Sequence, residues 1–498
     1  MTRGPALPPH ADPGKDTAPD RPAAMRRREL AGLAAAVTGA SLLPPGPARA
    51  EGELWITAQG ARLRDEAGRP VLLRSAAWYG FEARPWPSGL RQRSYRTRRI
   101  TVDGRSFEQK GVLEDIRDLG FDSIRMSICQ DIANPAWSVP PDSDRVDARY
   151  NPDFVDPRTG RPVPALTMLT RIAEHCRTLG LRMILDMHCA EANTSNVHGN
   201  TGLWYTTEFP DSPPGSPHFT GRSSGDPGGG PGRNEAQFFA AWKALAQHFR
   251  NNSAVCAFDL VNEPYWGVWE SGAARPAHNL RSMYERLGNE LHAINPNLFL
   301  WLEGPADAGF NPLTRRVELY YGTPRYESLT DLGQPHWGSG WSSNLRLAGG
   351  DPPRLRIPNK HGYSPHEYGV SSGLHVFNDR RRTSGGRTKP LAETLPLVWT
   401  EQWGYLADRD IAPIWIGEWA PTLDTPPGGV SRLVHPADRI WLETLGTYLR
   451  ARHAGHSYYS LNADNGDNPR NGWFRGHDWI GWTATMPGRR ELLAAMYR

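Results

Sequence analysis

The chain has 498 residues, 38% apolar and 22% charged, ample for a large core and within reach of a single α/β barrel with insertions. Its formal net charge of +4 is spread over many arginines and gives no footprint for nucleic acid; the dense run from Arg91 to Arg99 reads as a solvated loop. The 19 tryptophans are unusual; most are expected to be packing, although indole rings also stack on the flat faces of sugars.

The first 24 residues are Pro-rich and polar, and Met25 is a candidate start. Met25-Arg26-Arg27-Arg28 leads into a mildly apolar stretch, Leu30 to Leu43, too short to span a bilayer as a mature helix. Ala48-Arg49-Ala50 then fits a small-residue cleavage site. Three arginines followed by Glu29 match a twin-arginine signal in part. The expectation is an N-terminal extension and export signal over 1–50 and one domain over 51–498. The mature protein is then secreted or periplasmic, beginning near Glu51, and has no membrane contact after signal removal.

Beyond the signal, Leu54–Leu63 and Pro70–Trp78 read as a short hairpin around Asp65-Glu66-Ala67-Gly68. Strand-like apolar runs follow at Ser123–Ile128, Arg182–His188, Val255–Asn262, Leu298–Leu302, Gly362–Tyr368, Pro413–Glu418 and Ser457–Asn462. Helical periodicity marks Phe107–Leu119, Ala165–Leu179, Glu235–Phe249, Leu280–Ile294 and Ala437–Arg450. With Leu72–Trp78 as the first, eight strands separated by crossovers predict an α/β fold, a (β/α)8 TIM barrel with a short N-terminal β-hairpin. Two long insertions, Ala190–Arg233 and Gly369–Pro390 (with Arg380, Arg381 and Arg382), follow strands on the C-terminal face. They are either walls of a cleft or simple insertion drift. Cys129, Cys176, Cys189 and Cys256 show no metal spacing; Cys129 and Cys189 follow adjacent strands and either pair or stay as thiols.

The ends of these strands carry polar residues in an otherwise apolar pattern: Arg125, then Asp186 and His188, Asn262 and Glu263, His366 and Tyr368, and Glu418. Burying such groups costs free energy unless they are paired, so their recurrence is hard to assign to packing. Two segments, Phe258-Asp259-Leu260-Val261-Asn262-Glu263-Pro264 and Trp415-Ile416-Gly417-Glu418-Trp419, each deliver a glutamate, and paired carboxylates are what glycosidic-bond cleavage needs.

These segments, with Trp78-Tyr79-Gly80-Phe81-Glu82, Ser123-Ile124-Arg125-Met126, Ile184-Leu185-Asp186-Met187-His188, Leu203-Trp204-Tyr205-Thr206, Tyr363 to Tyr368 and Ser460 to Asp467, resemble glycoside hydrolase family 5 in its bacterial endoglucanase branch. The resemblance implies a secreted, retaining β-glycosidase, an endo-β-1,4-glucanase acting on polysaccharide, with no cofactor or metal and a monomeric state. It implies that Glu263 is the acid/base and Glu418 the nucleophile. Asn262 would hold the sugar 2-hydroxyl, Arg125 would keep Glu418 ionised, His366 and Tyr368 would flank the carboxylates, and His188 would touch the sugar. The pattern departs at the eighth strand, where Tyr459-Ser460-Leu461-Asn462-Ala463 puts Tyr459 at the position of a Trp platform and Ala463 at that of a proline. Trp78, Trp204, Trp337 and Trp419 are candidate platforms or packing. The departure leaves room for another substrate: mannan, xyloglucan or an anionic exopolysaccharide. A silent carbohydrate-binding barrel is the reading from a different class.

Overall fold

The computed structural model describes residues 52–497 apart from 142, 191, 193–202, 204–234, 265–268, 270–278, 306–308, 312–315, 319–341, 370–382, 385–386, 389, 427, 464–470 and 478–480. The chain divides into Met1–Pro44 and Pro45–Arg498, and the first unit lies outside the described residues, as does the export signal expected over 1–50. Trp204, Trp337, Arg380 to Arg382 and most of both long insertions also lie outside them.

Eight parallel strands form the centre: β1 (Arg74–Phe81), β2 (Ser123–Cys129), β3 (Arg182–Cys189), β4 (Val255–Asp259), β5 (Phe299–Leu302), β6, β7 (Trp415–Ala420) and β8 (Gly455–Tyr458). β6 comes in two pieces, His361–Tyr363 and His366–Tyr368, separated by Ser364-Pro365. The first piece pairs with β5 and the second with β7, so the sheet closes into a barrel through the break in this one strand. Every residue of β2, β3 and β7 is buried, as expected for parallel strands covered on both faces.

The crossovers carry α1 (Val112–Asp118), α2 (Ala165–Leu179), α3 (Glu235–His248), α4 (Leu280–Ile294), α5 (Leu391–Trp399) and α6 (Pro436–Arg452). In α2 the buried residues Ala165, Met168, Leu169, Ile172, Ala173 and Cys176 recur at helical spacing, and Gly180 ends the helix at φ 69°, a left-handed cap glycine adopts freely. Asn279 caps α4 by accepting the Ser282 N–H at 3.0 Å. α5, not expected from the sequence, runs on through a π-helical turn, Thr400–Gly404, into Tyr405–Asp408.

A three-stranded N-terminal sheet (Ile56–Gln59, Arg62–Asp65, Pro70–Val71) plugs one mouth of the barrel. Trp55, just before it, and its own Ile56, Leu63 and Val71 pack with Cys256 of β4, Phe299 and Trp301 of β5 and Trp415 of β7. That apolar plug leaves the C-terminal mouth for polar chemistry.

Two expectations need correction, and one left open is resolved. Phe107 is not in a helix: Arg98–Val102 and Arg105–Gln109 form an antiparallel hairpin before α1, with Phe107 exposed. The arginine run is not simply solvated; Arg93 pairs with Asp115, Arg96 with Asp153 at 2.7 Å, and Arg91 with Asp144. All four cysteines are buried thiols; Cys129 and Cys189 are register neighbours in β2 and β3 without a bond between them.

Candidate active site

The barrel strands bring the polar residues named from the sequence to one centre. β2 supplies Arg125, β3 Asp186 and His188, the turn after β4 Asn262 and Glu263, the second piece of β6 His366 and Tyr368, and β7 Glu418. Parallel register sets the neighbours: Asp186 stands beside Asp259, and His366 beside Glu418. Gly417 is required next to them, because a Cβ there would lie 2.8 Å from His366 Nε2.

Arg125 is the hub and has no exposed surface. Its guanidinium reaches Glu418 Oε1 at 2.5 Å, Asp259 Oδ2 at 3.0 Å, Asp186 Oδ1 at 3.0 Å and Glu303 Oε1 at 3.1 Å. It also donates to Asn262 Oδ1 at 2.9 Å. A buried cation persists only with such compensation, and the planar fork of arginine is suited to several carboxylates at once.

The two glutamates of the sequence motifs sit in opposite electrostatic settings. Burial opposes ionisation of Glu418, but His366, Arg125 and His188 outweigh it, and the Tyr368 hydroxyl donates to Oε2 at 2.5 Å; together they hold Glu418 below the usual carboxyl range. Burial pushes Glu263 up to about 7, with the negative Glu418 adding to the rise and the contact of His366 Nδ1 at 3.0 Å opposing it. His366 Nδ1 also lies 3.7 Å from Glu418 Oε2, so one imidazole spans both carboxyls. Burial disfavours charge on His366, yet Glu303, Glu418 and Glu263 hold its pKa well above the ordinary value. His188, bonded to Asp186 Oδ2 at 2.7 Å, is likewise raised to about 9 against its burial.

Glu263 lies beyond the ladder of β4, which stops at Asp259, and takes a left-handed backbone conformation with φ 40°. For a residue with a side chain this costs on the order of 1–3 kcal/mol and is retained where neighbours fix it. Its N–H donates to Glu303 Oε2 at 2.7 Å.

Three overlapping donor groups bring their ligand-type atoms within 4.8 Å of one another: Asp186, His188 and Glu418; Asp259, Glu303 and His366; and Glu263, His366 and Glu418. Among these five carboxyl groups stand three cations, Arg125, His188 and His366, while burial raises the pKa of Asp259 and Glu263 and so lowers the negative charge to be met.

The aromatic candidates divide. Trp78 and Trp419 have no exposed surface, so neither offers a face to a sugar. Trp78 packs 5.5 Å from Trp482 and donates to the Ser88 carbonyl; Trp419 packs among Trp441, Tyr458 and His456. Tyr459, just past β8, is 7% exposed, and its ring lies 6.1 Å from His188 at an interplanar angle of 5°. Tyr79 stacks on Tyr459 from 6.1 Å. Asn462 holds this corner by bonding both backbone groups of Tyr79.

Two carboxylates of the network were not foreseen as site residues, Asp259 and Glu303. Both stand at the ends of apolar runs, where the rule that found Glu418 applies equally.

A family model for cellulase (glycosyl hydrolase family 5) matches residues 79–465. The chain is 25% identical over 426 residues to an endoglucanase of Paenibacillus polymyxa, covering 85% of this chain and 83% of that one. It is 25% identical over 449 residues to endoglucanase G of Acetivibrio thermocellus, covering 86% and 69%. Among solved structures it shares its fold with an endocellulase of Pyrococcus horikoshii in complex with cellotetraose (TM-score 0.62, 22% identity, 90% of this chain and all of that one). The catalytic domain of the major endoglucanase of Xanthomonas campestris is similar too (TM-score 0.60, 20% identity, 89% and 99%). The match across most of the chain, on a closed barrel with this carboxylate centre, makes the protein a glycoside hydrolase belonging to the cellulase family, glycosyl hydrolase family 5.

Proposed function

We propose that the chain is an exported endo-β-1,4-glucanase that cleaves polysaccharide with retention of configuration, Glu418 acting as nucleophile and Glu263 as acid/base. The observation that carries this reading is the pairing of the two glutamates. Oxygens of the two carboxyl groups lie within 4.8 Å of each other, and their proton affinities are pushed apart in opposite directions. Retention goes with carboxyl groups about 5–5.5 Å apart, inversion with about 6.5–9.5 Å, which makes room for a water. A closest approach of less than 4.8 Å between their oxygens is compatible with the shorter range.

In the first step Glu418 attacks the anomeric carbon while Glu263 gives its proton to the departing glycosidic oxygen. Forming the glycosyl ester removes the negative charge of Glu418, one of the causes of the raised Glu263 pKa. Glu263, now ionised, takes a proton from water, the water attacks the same carbon, and Glu418 leaves as a carboxylate. Arg125 and Tyr368 stabilise Glu418 as nucleophile and leaving group. Arg125 donates to the amide oxygen of Asn262 at 2.9 Å and so fixes the orientation of the side chain that would hold the sugar 2-hydroxyl. Tyr459, Tyr79 and His188 provide the aromatic wall beside the cleavage point. Export rests on the signal pattern before Glu51; among the described residues no helix is long and apolar enough to cross a membrane. Trp204 and Trp337 remain candidate platforms by sequence alone.

Tyr459 favours a second reading of the substrate, since a phenol ring covers less of a sugar face than indole. Reducing-sugar release from cellulose derivatives, mixed-linkage glucan, mannan, xyloglucan and acidic exopolysaccharide decides between them. The proposal expects the β-1,4-glucans to be cut fastest; preference for mannan or an acidic polymer would replace the substrate but keep the chemistry. Binding without cleavage of any of them would overturn it.

A further inference from the structure

Three carboxyl groups at the centre, Asp186, Asp259 and Glu303, make no bond in the double displacement, and Glu303 alone of them touches the Glu263 backbone. Glu303, the first residue past β5, is fully buried. Its Oε2 accepts the backbone N–H of Glu263 at 2.7 Å and the hydroxyl of Ser342. Its Oε1 accepts from Arg125 at 3.1 Å and faces Nε2 of His366 at 3.1 Å. Its own carbonyl accepts the Tyr284 hydroxyl at 3.0 Å, so backbone and side chain are both anchored.

Glu263 is therefore held by Glu303 at two places. The first is the backbone, where a charge-assisted bond to the N–H supports a left-handed turn that a glutamate does not adopt unaided. The second is the carboxyl, through His366: Glu303 meets Nε2 of that ring while Nδ1 meets Glu263 Oε1 at 3.0 Å. The bland alternative is that Glu303 is only a counter-ion for Arg125. Asp186 and Glu418, both held ionised, already fill that role at shorter distances, and Asp259, whose pKa burial and Glu303 raise well above the usual range, also reaches the guanidinium. The contact to the Glu263 backbone is what those three do not share.

We propose that Glu303 is a positioning residue for proton transfer: it aims the Glu263 carboxyl at the glycosidic oxygen by fixing the backbone turn and the imidazole that orients it. This rests on the reading of Glu263 as acid/base. The consequence is a dependence on the leaving group. A dinitrophenolate departs without a proton, whereas a sugar alcohol needs one. Because kcat/KM reports steps up to the first irreversible one, glycosylation, it isolates this demand.

The test measures kcat/KM of the full exported chain on 2,4-dinitrophenyl β-cellobioside and on cellotetraose for the parent, Glu303→Gln, Glu303→Ala and Glu263→Ala. The ratio of the two substrates within one preparation cancels any loss of folded enzyme. Glu303→Ala is expected to lower cellotetraose cleavage about 100-fold and dinitrophenyl cellobioside cleavage less than about 10-fold, at the lower end of what general acid catalysis supplies. Glu303→Gln, which keeps an acceptor for the Glu263 N–H, is expected to recover part of the cellotetraose activity. Equal losses on both substrates in Glu303→Ala, with Glu263→Ala discriminating between them, overturn the proposal alone. Equal losses in Glu263→Ala overturn the acid/base reading, and this proposal with it.

Discussion

At the scale of residues, the account turns on the protons held by two carboxyl groups. The proposed mechanism needs Glu263 protonated in the first step, and its pKa is pushed up to about 7; it needs Glu418 ionised, and that carboxyl is held below the usual range. The kcat/KM profile is therefore expected to be a bell, falling above about pH 7 as Glu263 loses its proton and falling on the acid side only below about pH 4.5, the ordinary value that Glu418 undercuts. Initial-rate measurements from about pH 3 to about pH 9 check this. Arg125→Lys keeps the charge but cannot reach four carboxylates and an amide, so it should lower kcat by about 10²-fold or more and destabilise the fold by about 3–5 kcal/mol. Steady-state kinetics and calorimetry on the purified variant test both. The meeting of Glu263 and Glu418 at one centre was legible because each ends an apolar run and sits in a specific motif. Trp78 and Trp419 were not: an indole that packs and one that carries a sugar look alike in sequence, and only burial separates them. Glu303 was missed because its run carries no motif, and its partners come from β2, β4 and β6, distant in the chain.

At the scale of elements, β6 is the joint of the barrel. Its break at Ser364-Pro365 lets one piece pair with β5 and the next with β7, and it sends Ser364 to Asp259 at 2.9 Å. Gly417 in β7 keeps the space for His366 across that joint. Gly417→Ala is expected to displace the imidazole, lowering kcat on cellotetraose by at least about 10-fold and stability by about 1–3 kcal/mol, the usual cost of an overpacked core. Assay beside thermal unfolding tests it, and unchanged kinetics would show that the contact is relaxed cheaply. The opposite mouth gives the contrasting case. Trp55→Ala empties the plug beneath the barrel and should cost about 3–5 kcal/mol in stability while leaving kcat/KM of the folded enzyme unchanged. Helices α2 and α4 match their expected bounds because amphipathic spacing and end signals agree there. The hairpin before α1 and the π-helical turn after α5 escaped, since an exposed two-strand ribbon and a locally widened helix leave no periodic trace.

At the scale of the molecule, the buried charge centre ties stability to pH. His188 holds its proton up to about 9 when folded against 6.5 ordinarily, and Glu263 and Glu82 up to about 7 against 4.5. In each the folded chain binds a proton that the unfolded chain gives up sooner. Their contribution is therefore lost as pH rises, from 4.5 through 7 for the glutamates and from 6.5 through 9 for the histidine. Asp186 and Glu418 shift the other way, so their contribution is lost as pH falls below 3.8 and 4.5. Buried His292 and His456, held down to about 4 and about 3, offset the glutamates, because their contribution is lost as pH falls below 6.5. The thermal midpoint is therefore expected to be broadly highest between pH 4.5 and 6.5 and to decline towards pH 9; a maximum at alkaline pH in a calorimetric series would contradict the charge assignment. The same centre is the basis of the central claim, that Glu418 forms a covalent bond to sugar with Glu263 as its proton partner. Incubation with 2,4-dinitrophenyl 2-deoxy-2-fluoro-β-cellobioside, which slows release of the ester, followed by intact mass and peptide mapping, tests it most directly. One fluorosugar per chain is expected, carried on the peptide containing Glu418; a label on Glu263 or elsewhere, or turnover with no covalent adduct, would rule out Glu418 as the nucleophile.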